Sequence, residues 1–165
     1  MMTEFKESQI KDLFQSNQSQ AKELLTKLPI FCGEKGDFSG LRGWVFEKTI
    51  QYCIRRELKT QGVMVTLQEQ INLGGRSRVD LIVGETAIEI KLRGLFSGNS
   101  IARYRKCKAL AKKQGYSDYI CPTLGETYEP YRDGMIGVFG TESAFFLDAP
   151  GEWARFMNRL IQSLR

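Results

Sequence analysis

The chain has 165 residues, 42% of them hydrophobic, which is the size and composition of one ordinary domain with its own core. It contains no histidine, which excludes serine-histidine triads, histidine-metal triads and any mechanism that needs imidazole as a base. The formal charge is +5, no run reaches the roughly 18 to 20 apolar residues of a membrane helix, and the polar start MMTEFKESQIKD lacks the apolar region of a signal peptide, so a soluble, cytoplasmic protein with no membrane partner is expected.

Thr3 to Phe14 and Gln18 to Lys27 read as two short helices, the second stopped by Pro29. A loop with Gly33, Gly36 and Gly40 follows, and Ser39 is placed to cap a longer helix over about 40–60, closed by Gly62. Next come three strand-like runs, VMVTLQEQI at 63–71, SRVDLIV at 77–83 and TAIEIKL at 86–92, separated by Gly74-Gly75 and Gly84-Glu85 as in an antiparallel meander. After a Gly, Ser and Asn loop at 94–100, IARYRKCKALAKKQG reads as a helix ending at Gly115, and SDYICPT at 117–123 as a strand. A polar loop near 124–134 leads to two more expected strands, MIGVFG and SAFFLD, and then to a last helix from about Pro150. In that helix Trp153, Phe156, Met157, Leu160, Ile161 and Leu164 follow the spacing of an apolar stripe, which is read as core before dimer face. The alternation predicts an α/β (α+β) fold, a mixed central sheet flanked by helices, with N-terminal helices and a C-terminal helix. Cys32, Cys53, Cys107 and Cys121 form no CxxC pair and read as free, mostly buried thiols.

The stretch VDLIVGETAIEIKLRG sets acids among aliphatics. If Gly84-Glu85 is a two-residue hairpin loop, Asp80 lies directly across from Glu89, with Cβ atoms about 4.5 to 5.5 Å apart on one face. Two like charges so close are destabilising unless compensated, and a hard divalent cation compensates them. Lys91 follows Glu89 by two residues and shares its face; a solvated strand end is the plainer account of an ExK triplet taken alone. On a helical wheel with Trp44 at 0°, Ile54, Glu47 and Leu58 fall at about 280°, 300° and 320°, so Glu47 points along an apolar stripe and needs a partner. That partner is a cation or metal, or else Lys48 or Arg55 in an ordinary salt bridge.

Glu47 on a helix, Asp80 on a strand and Glu89-Ile90-Lys91 after a hairpin, followed by a basic helix and another strand, resembles the PD-(D/E)XK nuclease superfamily. Val79 stands where the motif's name has proline, at a position that is loose in that family. The resemblance implies a restriction-endonuclease-like αβββαβ core over 40–123 within a single nuclease domain, 1–165, with a helical segment at 1–38 and further strands and a helix at 124–165. It implies that Asp80 and Glu89 ligate Mg²⁺, for which Mn²⁺ can substitute, that the carbonyl of Ile90 is a further ligand, and that Glu47 supports the metal or its water. Lys91 would position the attacking water and help deprotonate it. The implied activity is that of a Mg²⁺-dependent endodeoxyribonuclease, of the site-specific restriction type, with a Holliday-junction resolvase, a homing or repair nuclease, or a non-catalytic DNA-binding module as alternatives. Metal-assisted phosphodiester hydrolysis is also chemistry that needs no histidine.

From Lys91 to Ser117 there are eight basic residues and no acid, which leaves the rest of the chain 16 bases against 19 acids, a net of −3. Such a patch points to a polyanion, of which nucleic acid is the commonest. Arg105, Lys108 and Lys112 line one side of the helix at 101–114, opposite Tyr104, Cys107, Leu110 and Ala111, where a solvated helix face is the alternative to phosphate contact. Arg103 belongs to the same helix. Arg76, Arg78 and Arg93 lie near the ends of the strands that carry the acids and are candidates for phosphate contact. Tyr128, Tyr131 and Arg132 fall in the loop PTLGETYEPYRDG, read as exposed or as reaching a groove. A homodimer is expected for cutting both strands of a duplex.

Overall fold

In the computed structural model, which describes residues 3–27, 38–95, 97–125 and 128–164, the chain opens with a single helix, α1 (Glu7–Lys27), where the sequence predicted two. No proline or glycine interrupts it at Gln15-Ser16-Asn17, Ile10 and Phe14 bury one face, and Asn17 Nδ2 donates to Thr49 Oγ1 at 3.0 Å across the contact with α2 (Phe38–Thr60). Packing on a neighbouring helix thus carries α1 through its polar middle. Gly40, expected in a loop, lies within α2. Pro29, Gly33, Gly36 and Cys32 lie outside the described residues, as does the side chain of Ser39.

β1 (Leu67–Gly74), β2 (Ser77–Val83) and β3 (Thr86–Ile88) form the antiparallel meander. Gly84 has φ 59° while Glu85 keeps a negative one, as a type II′ loop requires, and Val83 faces Thr86, Ile82 faces Ala87 and Leu81 faces Ile88. β3 is shorter than the predicted strand because its backbone loses β2 after Ile88 while keeping β4 (Asp118–Thr123). The Glu89 N–H donates to Ile120 O at 2.9 Å and the Lys91 N–H to Pro122 O at 3.3 Å, so the segment runs on beside β4 and leaves β2.

α3 (Gly98–Lys113) begins earlier than predicted because Ser97 caps it, its Oγ accepting from Ser100 N–H at 3.2 Å. The next element corrects the sequence reading: α4 (Glu129–Phe139) replaces the later part of the loop at 124–134, from Glu129 on, and the strand MIGVFG, and takes up Tyr131 and Arg132. Pro130 stands in its first turn, and Met135, Val138 and Phe139 are buried at helical spacing. A run of six residues with two glycines fits either period, so contact with the segment at 93–95 decides between them. β5 (Ala144–Phe146) fills the middle of SAFFLD, and α5 (Glu152–Gln162) carries the C-terminal stripe.

The sheet order is β1-β2-β3-β4-β5, antiparallel as far as β3 and parallel from β3 to β5. α1, α2 and α5 cover one face, with Phe46, Ile50 and Ile54 packed on Leu81, Val83 and Ile88. α3 and α4 cover the other, with Tyr104, Cys107 and Met135 on Ile82, Ala87 and Tyr119. The protein is therefore an α+β fold with a mixed sheet between helices, and α2-β1-β2-β3-α3-β4 is the predicted αβββαβ order. Trp153 and Phe156 are fully buried within the chain, so the stripe of α5 is core, and Cys53, Cys107 and Cys121 are buried and free. Among the described residues no helix is long and apolar enough to cross a membrane.

Candidate active site

The β2-β3 register ends at the Leu81–Ile88 pair, with Asp80 and Glu89 one step beyond it on the two strands. At that step the ladder gives way to a side chain. Asp80 Oδ2 accepts the Ile90 N–H at 2.8 Å, so the carboxylate fills the place that a β2 carbonyl would have taken. From the other side β1 contributes Gln70, across from Asp80, whose Nε2 donates to Glu47 Oε1 at 2.9 Å and reaches Asp80 Oδ1 at 3.4 Å. Gln51 on α2 adds a second amide, donating to Glu47 Oε1 at 3.1 Å and reaching the Asp80 carbonyl at 3.4 Å.

Glu47 is half-buried on α2, as its wheel position required. Its partners are these two amides and not the cations the sequence offered. Lys48 donates to Glu69 on β1 at 2.5 Å, and Arg55 pairs with the same carboxylate. Burial raises the pKa of the Glu47 carboxyl, and the neighbouring Asp80 adds to the rise against the pull of the Gln70 hydrogen bond. Trp44, the reference point of the wheel, is itself 55% exposed, whereas Ile54 and Leu58 are core.

Glu89 is only 3% exposed. Lys91 Nζ meets its Oε1 at 2.5 Å, and Oε2 is buried with no hydrogen-bond partner. Burial pushes the Glu89 carboxyl up to about 7, since Lys91 offsets only part of the cost of taking the charge out of water. Burial also works against the charged form of Lys91, but Glu89 and Asp80 together outweigh it, and the ammonium is held well above its ordinary range. Its Nζ lies 4.8 Å from the ring centre of Tyr104 on α3, with the Arg103 guanidinium 5.5 Å from the same ring.

Two carboxylates of hard oxygen, one with a buried atom lacking a partner, fit a divalent cation such as Mg²⁺, which uses one or two protein carboxylates and completes its shell with water and substrate phosphate. Among the described residues no three His, Cys, Asp or Glu side chains are grouped so that they could hold a metal ion. A surface groove of about 420 Å³ along α5, lined in part by Arg155, Asn158 and Arg159, holds none of these groups.

The basic candidates fall into two sets. Arg76, in the β1-β2 turn, Arg78 on β2, Arg93 beyond Lys91, and Arg103 and Lys112 on α3 are exposed. Arg105 and Lys108, exposed as well, are engaged with the C-terminal turn of α4: Lys108 Nζ donates to the carbonyls of Val138 at 3.0 Å and Phe139 at 3.4 Å, and Arg105 reaches Gly137 O at 3.5 Å. Cations at a helix C-terminus answer its unpaired carbonyls, a structural task the α3 wheel alone could not reveal. Sequence reasoning also missed Gln70, Gln51 and Tyr104 as members of the site. The one available signal was the Gly74-Gly75 turn, which folds β1 back until Gln70 comes abreast of Asp80.

No protein-family model matches the chain, and neither a curated protein nor a solved structure matches it significantly.

Proposed function

We propose that the protein is a Mg²⁺-dependent nuclease that hydrolyses DNA phosphodiester bonds, with Asp80, Glu89 and the Ile90 carbonyl as the groups that hold the cation. The observation that carries the reading is Glu89, a carboxylate sealed in the sheet beside Asp80, bound to Lys91 through one oxygen and left without a partner at the other. A structural domain gains nothing from such a group, whose charged form is costly to bury. The cation would supply a Lewis acid that makes water nucleophilic near neutral pH and offsets charge growing on the phosphate.

Of the chain's own groups, Lys91 is held protonated by the carboxylates around it, so it serves as a cation that orients the attacking water and contacts a phosphate oxygen rather than as the proton acceptor. Tyr104 roofs Lys91 and limits where its ammonium can swing. Glu47 stands behind Asp80 through the shared amides. Arg76, Arg78, Arg93 and Arg103 are the contacts proposed for flanking phosphates.

Supercoiled plasmid, linear duplex and a four-way junction, each incubated with Mg²⁺ or with EDTA, test the reading. Mg²⁺-dependent cutting is expected, with Asp80→Ala slower by on the order of 100-fold or more, the usual loss when a group that balances transition-state charge is removed. Cutting of the junction alone would select a resolvase, and discrete fragments from linear duplex a site-specific enzyme. Binding without cutting, alike in wild type and Asp80→Ala, would overturn the enzymatic reading in favour of a DNA-binding module. The homodimer belongs to the same proposal, and its check is the mass of the protein in solution.

A further inference from the structure

Gln70 is the one non-glycine among the described residues with a left-handed backbone, φ 53°. Glutamine has no intrinsic preference for that region, and a strand interior is not where turns place such residues. The conformation has a visible consequence. Leu67 packs against the α1-α2-α5 layer, whereas Ile71 and Leu73, of the same alternation, pack against the α3-α4 layer. On the partner strand Leu81 and Val83 belong to the first layer and Val79 to the second, so the β1-β2 ribbon turns over at the Gln70–Asp80 step. That step is where the acid from one face of the sheet, Glu47 on α2, meets Asp80, and the Gln70 amide spans the two.

We propose that Gln70 is a positioning residue of the cation site, its strained backbone retained because it presents the amide that holds Glu47 to Asp80. The inference rests on the metal-site reading above and adds to it a residue that ligates nothing and acts through Glu47. Its side chain is exposed, so its contribution is to the geometry of the carboxylates and not to the core.

The informative variant is Gln70→Gly, because glycine adopts the left-handed backbone without strain while removing the amide together with its exposed stem. Titration calorimetry with Mn²⁺ alone, without DNA, is expected to show affinity about 10- to 100-fold weaker than wild type, the usual cost of removing a group that orients ligands. The melting temperature of the metal-free variant is expected to equal or exceed that of wild type. In a Glu47→Ala background the same substitution is expected to weaken Mn²⁺ binding no further. Unchanged Mn²⁺ affinity in Gln70→Gly, or an equal loss with and without Glu47, overturns the positioning role while leaving the metal site standing. A wild-type protein that binds no Mn²⁺ overturns the metal reading itself, and the role of Gln70 with it.

Discussion

Glu89 shows how one residue can be read from both sides of a trade between stability and chemistry. Its folded-state pKa of about 7 lies above the ordinary carboxylate value of 4.5, so the folded chain holds this proton more tightly than the unfolded chain does. The stability gained from that proton is complete below about pH 4.5 and is lost as pH rises through 7, with a ceiling of roughly 3 kcal/mol for a difference of this size. Glu89→Gln cannot titrate there. In EDTA, urea denaturation of wild type and Glu89→Gln at pH 5 and pH 8 is therefore expected to show the wild type losing ground to the variant at the higher pH. A pH-independent difference would mean that Lys91 compensates the buried carboxylate fully.

Among the elements, α4 is the one whose nature was least legible, and it makes a close backbone approach. A Cβ built on Gly134 would come within 1.5 Å of Leu95 O, a backbone atom that cannot step aside, and one built on Gly94 within 2.5 Å of Tyr131 O. α4 thus presses on the segment that leads directly out of Lys91. Gly134→Ala is expected to destabilise by about 3 kcal/mol or more through overpacking, whereas Gly137→Ala, whose added Cβ meets only Arg105 Nη2 at 3.8 Å, is expected to stabilise by about 0.5–1 kcal/mol through helix propensity. Thermal unfolding of the two variants beside wild type checks both signs. The contrast also explains what could be read in advance. The β2-β3 hairpin was legible because Gly84 settles its register locally, as far as the Leu81–Ile88 pair that precedes Asp80 and Glu89. α4 was not, because MIGVFG carries no decisive period and the close approach at Gly134 is non-local. Gln70 was invisible for the same reason, since nothing in a sequence marks a glutamine as left-handed.

For the whole molecule, the arrangement of charge separates two tasks that the composition merged. Most of the basic stretch from Lys91 onward lies on α3, which packs on the sheet face where Tyr104 covers Lys91, with Arg103 of the same helix beside that ring. Lys106, Lys108 and Lys112 are all exposed on this helix, and Lys108 also belongs to the fold through its contacts with Val138 and Phe139. A cation that meets phosphate releases counterions and steepens the salt dependence of binding, while one that holds a helix terminus leaves that dependence alone. Lys106→Ala with Lys112→Ala is therefore expected to weaken binding evenly across DNA sequences and to reduce the slope of log affinity against log salt by about 2, with the melting temperature held. Lys108→Ala is expected to do the opposite, lowering the melting temperature and leaving the slope within error of wild type. Fluorescence anisotropy over a salt series, read beside thermal unfolding of the same variants, distinguishes the two outcomes, and an unchanged slope in the double variant would overturn the proposed contact of α3 with phosphate.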